Sequence, residues 1–261
     1  MTNRFIVALA SVALLGSLVS CSDDDEPKAG NGDGSPAPSR SELRQYCGKV
    51  LQAETFAFPQ IADLPEADRP GRLVEYAREL RRLVDEAAGA APTATKADLR
   101  KVAVALDEVV KTNGDLARRG TPAVRAASAR AHTFELANCG WRRVDTTAVE
   151  FTFQGFPETI PAGVVSFELA NKGEFDHVLE LYRVEQETVS GRETLSRGDL
   201  RKEDLAKFRD VGSAFAREGE QGHVVRALQP GRYVAACLIA LNSTPPATHA
   251  SKGMLAEFTV T

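Results

Sequence analysis

Near its C-terminus the chain carries three residue types that bind soft metal ions. Cys237 ends an apolar run in which Tyr233, Ala235 and Cys237 share one face of a predicted strand, and His249 and Met254 follow a polar, proline-rich loop. A thiolate, an imidazole and a thioether are donors that suit copper held by two histidines and a cysteine with an axial methionine. Apart from Met1, Met254 is the only methionine. The spacing predicts a metal site that needs a second histidine from elsewhere.

Length and composition limit the possible classes of protein. The 261 residues, 43% hydrophobic and 26% charged, can form one large core or two smaller ones. The net charge is −4, and no basic patch interleaved with aromatic residues occurs in the sequence. We therefore expect no nucleic-acid partner.

Residues 1–20 are predicted to be an export signal, because Arg4 precedes an apolar run that is too short and too rich in small residues to span a membrane. Leu18, Val19, Ser20 and Cys21 resemble the lipobox of bacterial lipoproteins. The resemblance implies cleavage before Cys21, acylation of that cysteine with chains such as palmitate, and anchoring to the extracytoplasmic face of the cell membrane. An ordinary secreted protein and an uncleaved anchor are the alternatives.

Residues 21–40, rich in Asp, Gly, Pro and Ser, are predicted to be a disordered tether.

Residues 41–140 have apolar positions at helical spacing in four stretches, which predicts an up-and-down helical bundle. Ser39 with Glu42 and Thr95 with Asp98 have the spacing of capping boxes, and Thr121 precedes a proline suited to the first turn of a helix. No paired carboxylates or histidine-rich face is evident in these helices. His132, and also His223 further along the chain, have no partner in sequence, so we expect both at the surface.

Two cysteines mark the ends of this bundle. Cys47 lies on the apolar stripe of the first predicted helix and Cys139 at the end of the fourth, so the two can meet in an antiparallel bundle. A disulfide is the expected state in an exported protein, and two buried thiols are the alternative. With Cys21 carrying lipid, Cys237 is then the cysteine left without a partner.

From residue 145 to 261 the hydrophobic period becomes that of strands, and the short runs separated by turn signals predict an antiparallel β-sandwich. Residues 190–208 interrupt the pattern and are predicted to be a helical insertion. The predicted strands cover residues 148–153, 163–169, 175–184, 223–228, 232–239 and 255–260. The whole chain is thus expected to be an α+β protein of two domains.

Three segments of the β-rich part resemble the cupredoxin family of blue copper proteins: Asn171 to His177, Pro230 to Cys237, and His249 to Met254 with Gly253 before the methionine. The resemblance covers about residues 147–261. It implies a Greek-key sandwich and one copper ion with His177, Cys237, His249 and Met254 as ligands. Eleven residues separate Cys237 from His249, more than is typical of that family.

These observations predict a membrane-anchored, extracytoplasmic copper protein that transfers electrons or handles copper, with a redox or copper-accepting protein as partner. Two histidines and a methionine without the cysteine suit copper handling better than electron transfer. The alternative is a metal-free sandwich that acts as a surface interaction module, with the same residues as core or surface positions. A Cys237–His177 nucleophile pair lacks an orienting third group, so no enzyme activity is predicted.

Overall fold

A computed structural model describes residues 37–61, 64–243 and 246–261. The predicted export signal, the predicted lipidation site Cys21 and the predicted tether as far as residue 36 lie outside the described residues. Residues 37–261 form one compact unit. None of the helices described in that unit is long and apolar enough to cross a membrane.

Four long helices make up the first part of the unit, in agreement with the number of apolar stretches in the sequence. Their bounds are α1 Arg40–Glu54, α2 Arg69–Ala90, α3 Thr93–Lys111 and α4 Pro122–Asn138. They pack around a shared apolar core in which Tyr46, Val50 and Leu106 are almost fully buried. Each helix therefore buries one stripe and leaves its charged face in solvent.

The starts of two helices agree with the predicted caps. The Ser39 hydroxyl accepts the N–H of Glu42 while the Glu42 carboxylate accepts the N–H of Ser39, and Thr121 caps α4. The cap predicted at Thr95 was wrong. Since α3 already begins at Thr93, directly after the extended Pro92, Thr95 lies inside the first turn.

A disulfide joins Cys47 of α1 to Cys139 at the end of α4, as the sequence predicted, with 5.4 Å between the two Cα atoms. It links positions 92 residues apart. In the chain-entropy view, closing such a loop stabilises the fold by about 4 kcal/mol. Cys237 is the free cysteine of the described part of the chain.

The second part consists of two facing sheets. Its strands are β1 Arg142–Val149, β2 Thr152–Gln154, β3 Thr159–Ile160, β4 Gly163–Asn171, β5 His177–Val184, β6 Phe208–Ala216, β7 Gln221–Leu228, β8 Gly231–Ala236, β9 Ala240–Leu241, β10 Ala247–Thr248 and β11 Leu255–Val260. The first sheet has the order β2-β1-β4-β7, the second the order β3-β11-β8-β5-β6, and β9 and β10 form a small separate ladder.

Both sheets are mixed, so the prediction of a purely antiparallel sandwich was wrong. β1 pairs with β4 in parallel, and β3 pairs with β11 in parallel. The reason lies in the connections. After β2 the chain crosses to the edge of the second sheet as β3 and returns to the first sheet as β4, which runs beside β1 in the same direction.

Two segments differ from the sequence prediction in ways that matter for the site. The strand predicted over 148–153 is broken, because Glu150 and Phe151 form a turn between β1 and β2, with Phe151 at φ +58°. The insertion at 190–208 contains two short helices, α5 Gly191–Leu195 and α6 Lys202–Leu205. The insertion leads into β6, a strand that was not predicted from the sequence.

Apolar side chains fill the space between the sheets, and Cys237 and Met254 belong to this core. As predicted, Tyr233, Ala235 and Cys237 point to the same side, into that core. The neighbouring Val234 and Ala236 point to the opposite face of the second sheet, where they pack against Leu195 of α5.

The long helices pack on the outer face of the first sheet, and His132 and His223 meet there. His132 is 4% exposed and its ring stacks on that of His223 with 3.6 Å between the centroids. His132 Nε2 lies 2.8 Å from Oε1 of Glu168 on β4. The prediction that both histidines lie at the surface was wrong, since hydrophobic periodicity does not show which sheet face a helix covers.

Candidate metal centre

Three of the predicted ligand residues meet at one end of the sandwich, although they come from three separate segments. His177 is the first residue of β5, Cys237 directly follows β8, and His249 directly precedes a short 3₁₀ turn, Ala250–Lys252, ahead of β11. His177 and Cys237 are 0% exposed and His249 is 2% exposed. The three side chains thus lie inside the protein, almost wholly out of contact with solvent.

The donor atoms of these side chains face one another. Nδ1 of His177 lies 3.2 Å from Nδ1 of His249, and Sγ of Cys237 lies 3.5 Å from Nδ1 of His249. One donor atom from each residue lies within 4.8 Å of the other two. Among the residues that the structure describes, no other group of His, Cys, Asp or Glu meets this condition. A single metal ion is within reach of all three.

The long loop between Cys237 and His249 does not keep these residues apart. Ile239 accepts the N–H of His249 at 3.0 Å, which closes the two ends of the loop on each other. Beyond this point β9 and β10 pair as an antiparallel ladder. The additional residues therefore do not separate the ligands, and the donor atoms stay within 4.8 Å of one another.

Met254 adjoins the cluster through its main chain. Cys237 donates its N–H to the carbonyl of Met254 at 3.0 Å, and Met254 donates its own to the carbonyl of His249 at 3.1 Å. Gly253, at φ +115°, permits the sharp return of the chain between them. The Met254 side chain is fully buried in the same core as Cys237.

The loop between β4 and β5 positions His177, and the start of β5 contacts Cys237. The side chain of Asn171 donates to the carbonyls of Phe175 and Ala216 and accepts the N–H of Gly173. This buried amide holds the loop in one conformation, so that His177 follows at a defined place. The N–H of Val178 then points at Sγ of Cys237, at 3.4 Å.

The turn between β1 and β2 contributes residues that sequence reasoning missed. Oε1 of Glu150 lies 3.7 Å from Nε2 of His177. The rings of Phe151 and Phe175 meet the His249 ring edge to face, with centroids 5.2 and 6.0 Å away. Nothing in the alternation of residues 148–153 marks this turn, and only the positive φ of Phe151 reveals it.

Burial sets the protonation states of the cluster. Desolvation lowers the pKa of both His177 and His249, and the proximity of His177 lowers the pKa of His249 further. Desolvation also raises the pKa of the Cys237 thiol, although the N–H of Val178 opposes this. The imidazoles are thus neutral, the form that binds metal, while the thiol requires an adjacent positive charge to lose its proton.

The donor set fits a single copper ion. Two imidazole nitrogens and a sulfur are soft to intermediate ligands, whereas magnesium and calcium prefer oxygen atoms. The imidazole Nε2 of His177 is buried without a hydrogen-bond partner in the described residues. A polar atom is costly to bury without a partner, and the other nitrogen of this ring, Nδ1, is the one that faces His249.

No family model and no curated protein matches the chain. Solved structures similar to it include three auracyanins. Auracyanin B is 20% identical, with 46% of this chain and 88% of that chain covered and a TM-score of 0.31. Reduced auracyanin from Roseiflexus castenholzii is 17% identical, with 46% and 96% covered and a TM-score of 0.31. Auracyanin A, a blue copper protein from Chloroflexus aurantiacus, is 15% identical, with 47% and 100% covered and a TM-score of 0.32. TM-scores this low establish neither a family nor a function for the chain.

Proposed function

We propose that the chain is a cupredoxin-like protein that binds one copper ion and transfers single electrons. His177 and His249 would bind the ion through Nδ1 and Cys237 through Sγ, with Met254 as a weaker fourth ligand. The observation that carries the proposal is the convergence of the first three donor atoms, all within 4.8 Å of one another. Three distant segments must each fold correctly to produce it.

Each part of the site has a defined task in this proposal. Bound copper supplies a one-electron couple between Cu(II) and Cu(I). The strands and the fixed loop hold the ligand side chains in one arrangement, so little rearrangement accompanies the change of charge. Phe151 and Phe175 keep water away from the ring of His249. The N–H of Val178 stabilises negative charge on the sulfur of Cys237.

The setting of the site in the cell is part of the same proposal. A lipid anchor at Cys21 would hold the protein at the extracytoplasmic face of the cell membrane, and residues 22–36 would act as a tether. The partner would be a redox protein that donates or accepts one electron. In support, the disulfide between Cys47 and Cys139 is suited to an oxidising compartment.

Titration of the purified full-length protein in detergent with Cu(II) tests the proposal. We expect one equivalent to bind and an intense blue colour to develop from charge transfer between the Cys237 thiolate and copper. Cys237→Ser should remove the colour. A colourless complex of the unaltered protein would contradict electron transfer and favour copper handling, and the absence of any copper uptake would favour a metal-free interaction module.

A matched histidine variant serves as the control. His223 lies at the contact between helices and sheet and belongs to no group of donor atoms around the proposed ion. His223→Gln should therefore retain the blue colour, while His177→Gln should lose it. If both variants behave alike, the proposed assignment of His177 is wrong.

A further inference from the structure

Glu150, in the turn between β1 and β2, is held by the neighbouring loop beside the candidate metal centre. Its Oε1 atom accepts the backbone N–H of Glu174 at 2.5 Å and that of Phe175 at 3.3 Å. Both donors belong to the loop between β4 and β5, which ends at His177. Two backbone donors on one oxygen fix the position of this carboxylate more firmly than a surface ion pair does.

The same loop leaves a space that the carboxylate occupies. A Cβ atom on Gly173 would overlap the carboxylate of Glu150, and the atoms of that carboxylate are the neighbours it would meet first. Glycine at this position therefore allows Glu150 to approach the loop closely. The glycine and the two N–H groups form a cradle for one carboxylate.

The held carboxylate faces the second nitrogen of a proposed ligand. Oε1 of Glu150 lies 3.7 Å from Nε2 of His177, while Nδ1 of the same ring faces His249. Nε2 of His177 is buried and has no hydrogen-bond partner among the described residues. The Glu150 side chain is about one-third exposed. A shift of a few tenths of an ångström would bring the pair into hydrogen-bond range.

We propose that Glu150 is a positioning residue for the metal centre, which orients His177 and strengthens it as a ligand for Cu(II). A carboxylate that accepts the N–H of a ligating imidazole fixes the tautomer and makes the other nitrogen a better donor. Negative charge near the metal favours the more highly charged ion, so the effect is larger for Cu(II) than for Cu(I). This inference rests on the proposed copper binding.

The test compares Glu150→Gln with Glu174→Gln in the full-length protein. Each substitution removes one carboxylate from the same end of the sandwich, but the Glu174 side chain is exposed and only its backbone N–H takes part in the cradle. Affinities for Cu(II) and for Cu(I) are measured by competition with chelators, and the reduction potential by redox titration.

Glu150→Gln should lose about 10-fold in Cu(II) affinity and much less in Cu(I) affinity. A 10-fold fall in the ratio of Cu(II) affinity to Cu(I) affinity corresponds to a rise of about 59 mV in the reduction potential. Glu174→Gln should stay within about 2-fold of the unaltered protein, since long-range effects of surface charges are screened.

Gly173→Ala provides a second, independent variant. The added methyl group should displace the Glu150 carboxylate and reproduce the loss of Cu(II) affinity. In a Glu150→Ala background the space is free, so Gly173→Ala should have no further effect on copper binding. An additional loss in that background would show that the methyl group disturbs the loop itself and would contradict the inference.

The outcomes separate the inference from the function on which it rests. If the unaltered protein takes up no copper, the proposed function fails. If it binds copper and Glu150→Gln binds with the same affinity and potential, the inference alone is overturned. An equal loss for Cu(II) and Cu(I), together with a lower free energy of unfolding without metal, would indicate a purely structural role and would also overturn it.

Discussion

At the scale of single residues, the site consists of polar groups buried at some cost. Desolvation lowers the pKa of both histidines and raises that of the thiol, so the neutral forms are favoured in the absence of a positive charge. Removing polar groups from water is unfavourable unless a partner compensates. A bound metal ion would be the partner common to His177, Cys237 and His249.

Asn171 shows how one residue holds a ligand in place, and it yields a prediction. Asn171→Asp replaces the two donated hydrogen bonds to Phe175 and Ala216 with repulsion between oxygens in a buried site. We expect the free energy of unfolding to fall by about 3 kcal/mol, measured by urea denaturation of the metal-free protein.

Asn138→Asp is the matched control for this change. The Asn138 side chain also donates to a backbone carbonyl, that of Phe134, but it lies exposed at the end of α4. Its replacement should cost about 0.5 kcal/mol, mainly from a negative charge at a helix C-terminus. Equal losses in the two variants would mean that Asn171 does not hold the loop.

At the scale of elements, short irregular segments position the donors while the strands form a rigid frame. The turn at residues 150–151, the loop at 171–176 and the turn at 249–254 all approach the same end of the sandwich. Hydrogen bonds between Cys237, His249 and Met254 connect the end of β8 with the start of β11. The ligand spacing is thus set by backbone contacts between strands.

Gly253 provides the test at this scale. Its φ of +115° lies where residues with a side chain are strained, so Gly253→Ala should reduce the free energy of unfolding by about 1–3 kcal/mol. Because this turn carries His249 and Met254, the variant should also bind Cu(II) less tightly. Urea denaturation and chelator competition measure the two effects.

A glycine in a different turn separates stability from copper binding. Gly219, between β6 and β7, has φ +70° and open space around it. Gly219→Ala should cost about 1 kcal/mol in stability and leave Cu(II) affinity unchanged. If copper affinity falls in this variant too, the effect of Gly253→Ala reflects general destabilisation and not the geometry of the turn.

At the scale of the whole molecule, the helices are attached to the sandwich through buried charged groups. His132 on α4 lies between Glu135 of its own helix and Glu168 of β4, and its ring stacks on His223 of β7. Glu54 of α1 faces the same region, with Oε2 3.9 Å from Nε2 of His223. Because these groups can gain or lose protons, the stability of this contact should depend on pH, unlike that of an apolar contact.

The protonation of His132 should make stability depend on pH. Burial alone would lower the pKa of His132, but the carboxylates of Glu135 and Glu168 outweigh it and raise the pKa from 6.5 to about 9. Because this value is higher than in an unfolded chain, the stabilisation is fully present below pH 6.5 and is lost as the pH rises through 9. The loss amounts to about 3 kcal/mol.

Urea denaturation at pH 6 and at pH 9.5 measures this effect. The unaltered protein should be markedly less stable at the higher pH, and His132→Gln should remove most of the difference. His223→Gln should retain it, since burial lowers the pKa of His223 and a lowered histidine pKa makes stability rise with pH, which is the opposite sign. A pH dependence that persists in His132→Gln would assign it to other groups, such as the Cys237 thiol.

Much of the local structure could be predicted. The four helices, the Ser39 and Thr121 caps and most strands follow from periodicity and capping residues, which act within a few positions of the chain. Beyond that range the predictions held only in part, as for the disulfide between Cys47 and Cys139. β6, the parallel pairing of β1 with β4 and the burial of His132 depend on contacts with distant segments, and no local pattern encodes them.

The sequence by itself determined which donor atoms the chain possesses and their order along it: Cys237, His249 and Met254 follow from residue type and spacing, and His177 from the resemblance to cupredoxins. Only the tertiary structure decided that the first three meet, because the hairpin of β9 and β10 absorbs the long loop and the strands set the distances. It also decided that the turn at Glu150 and Phe151 covers both histidines. Side-chain chemistry is a local property of the chain, whereas convergence is set by the pairing of β5, β8 and β11 side by side in the second sheet.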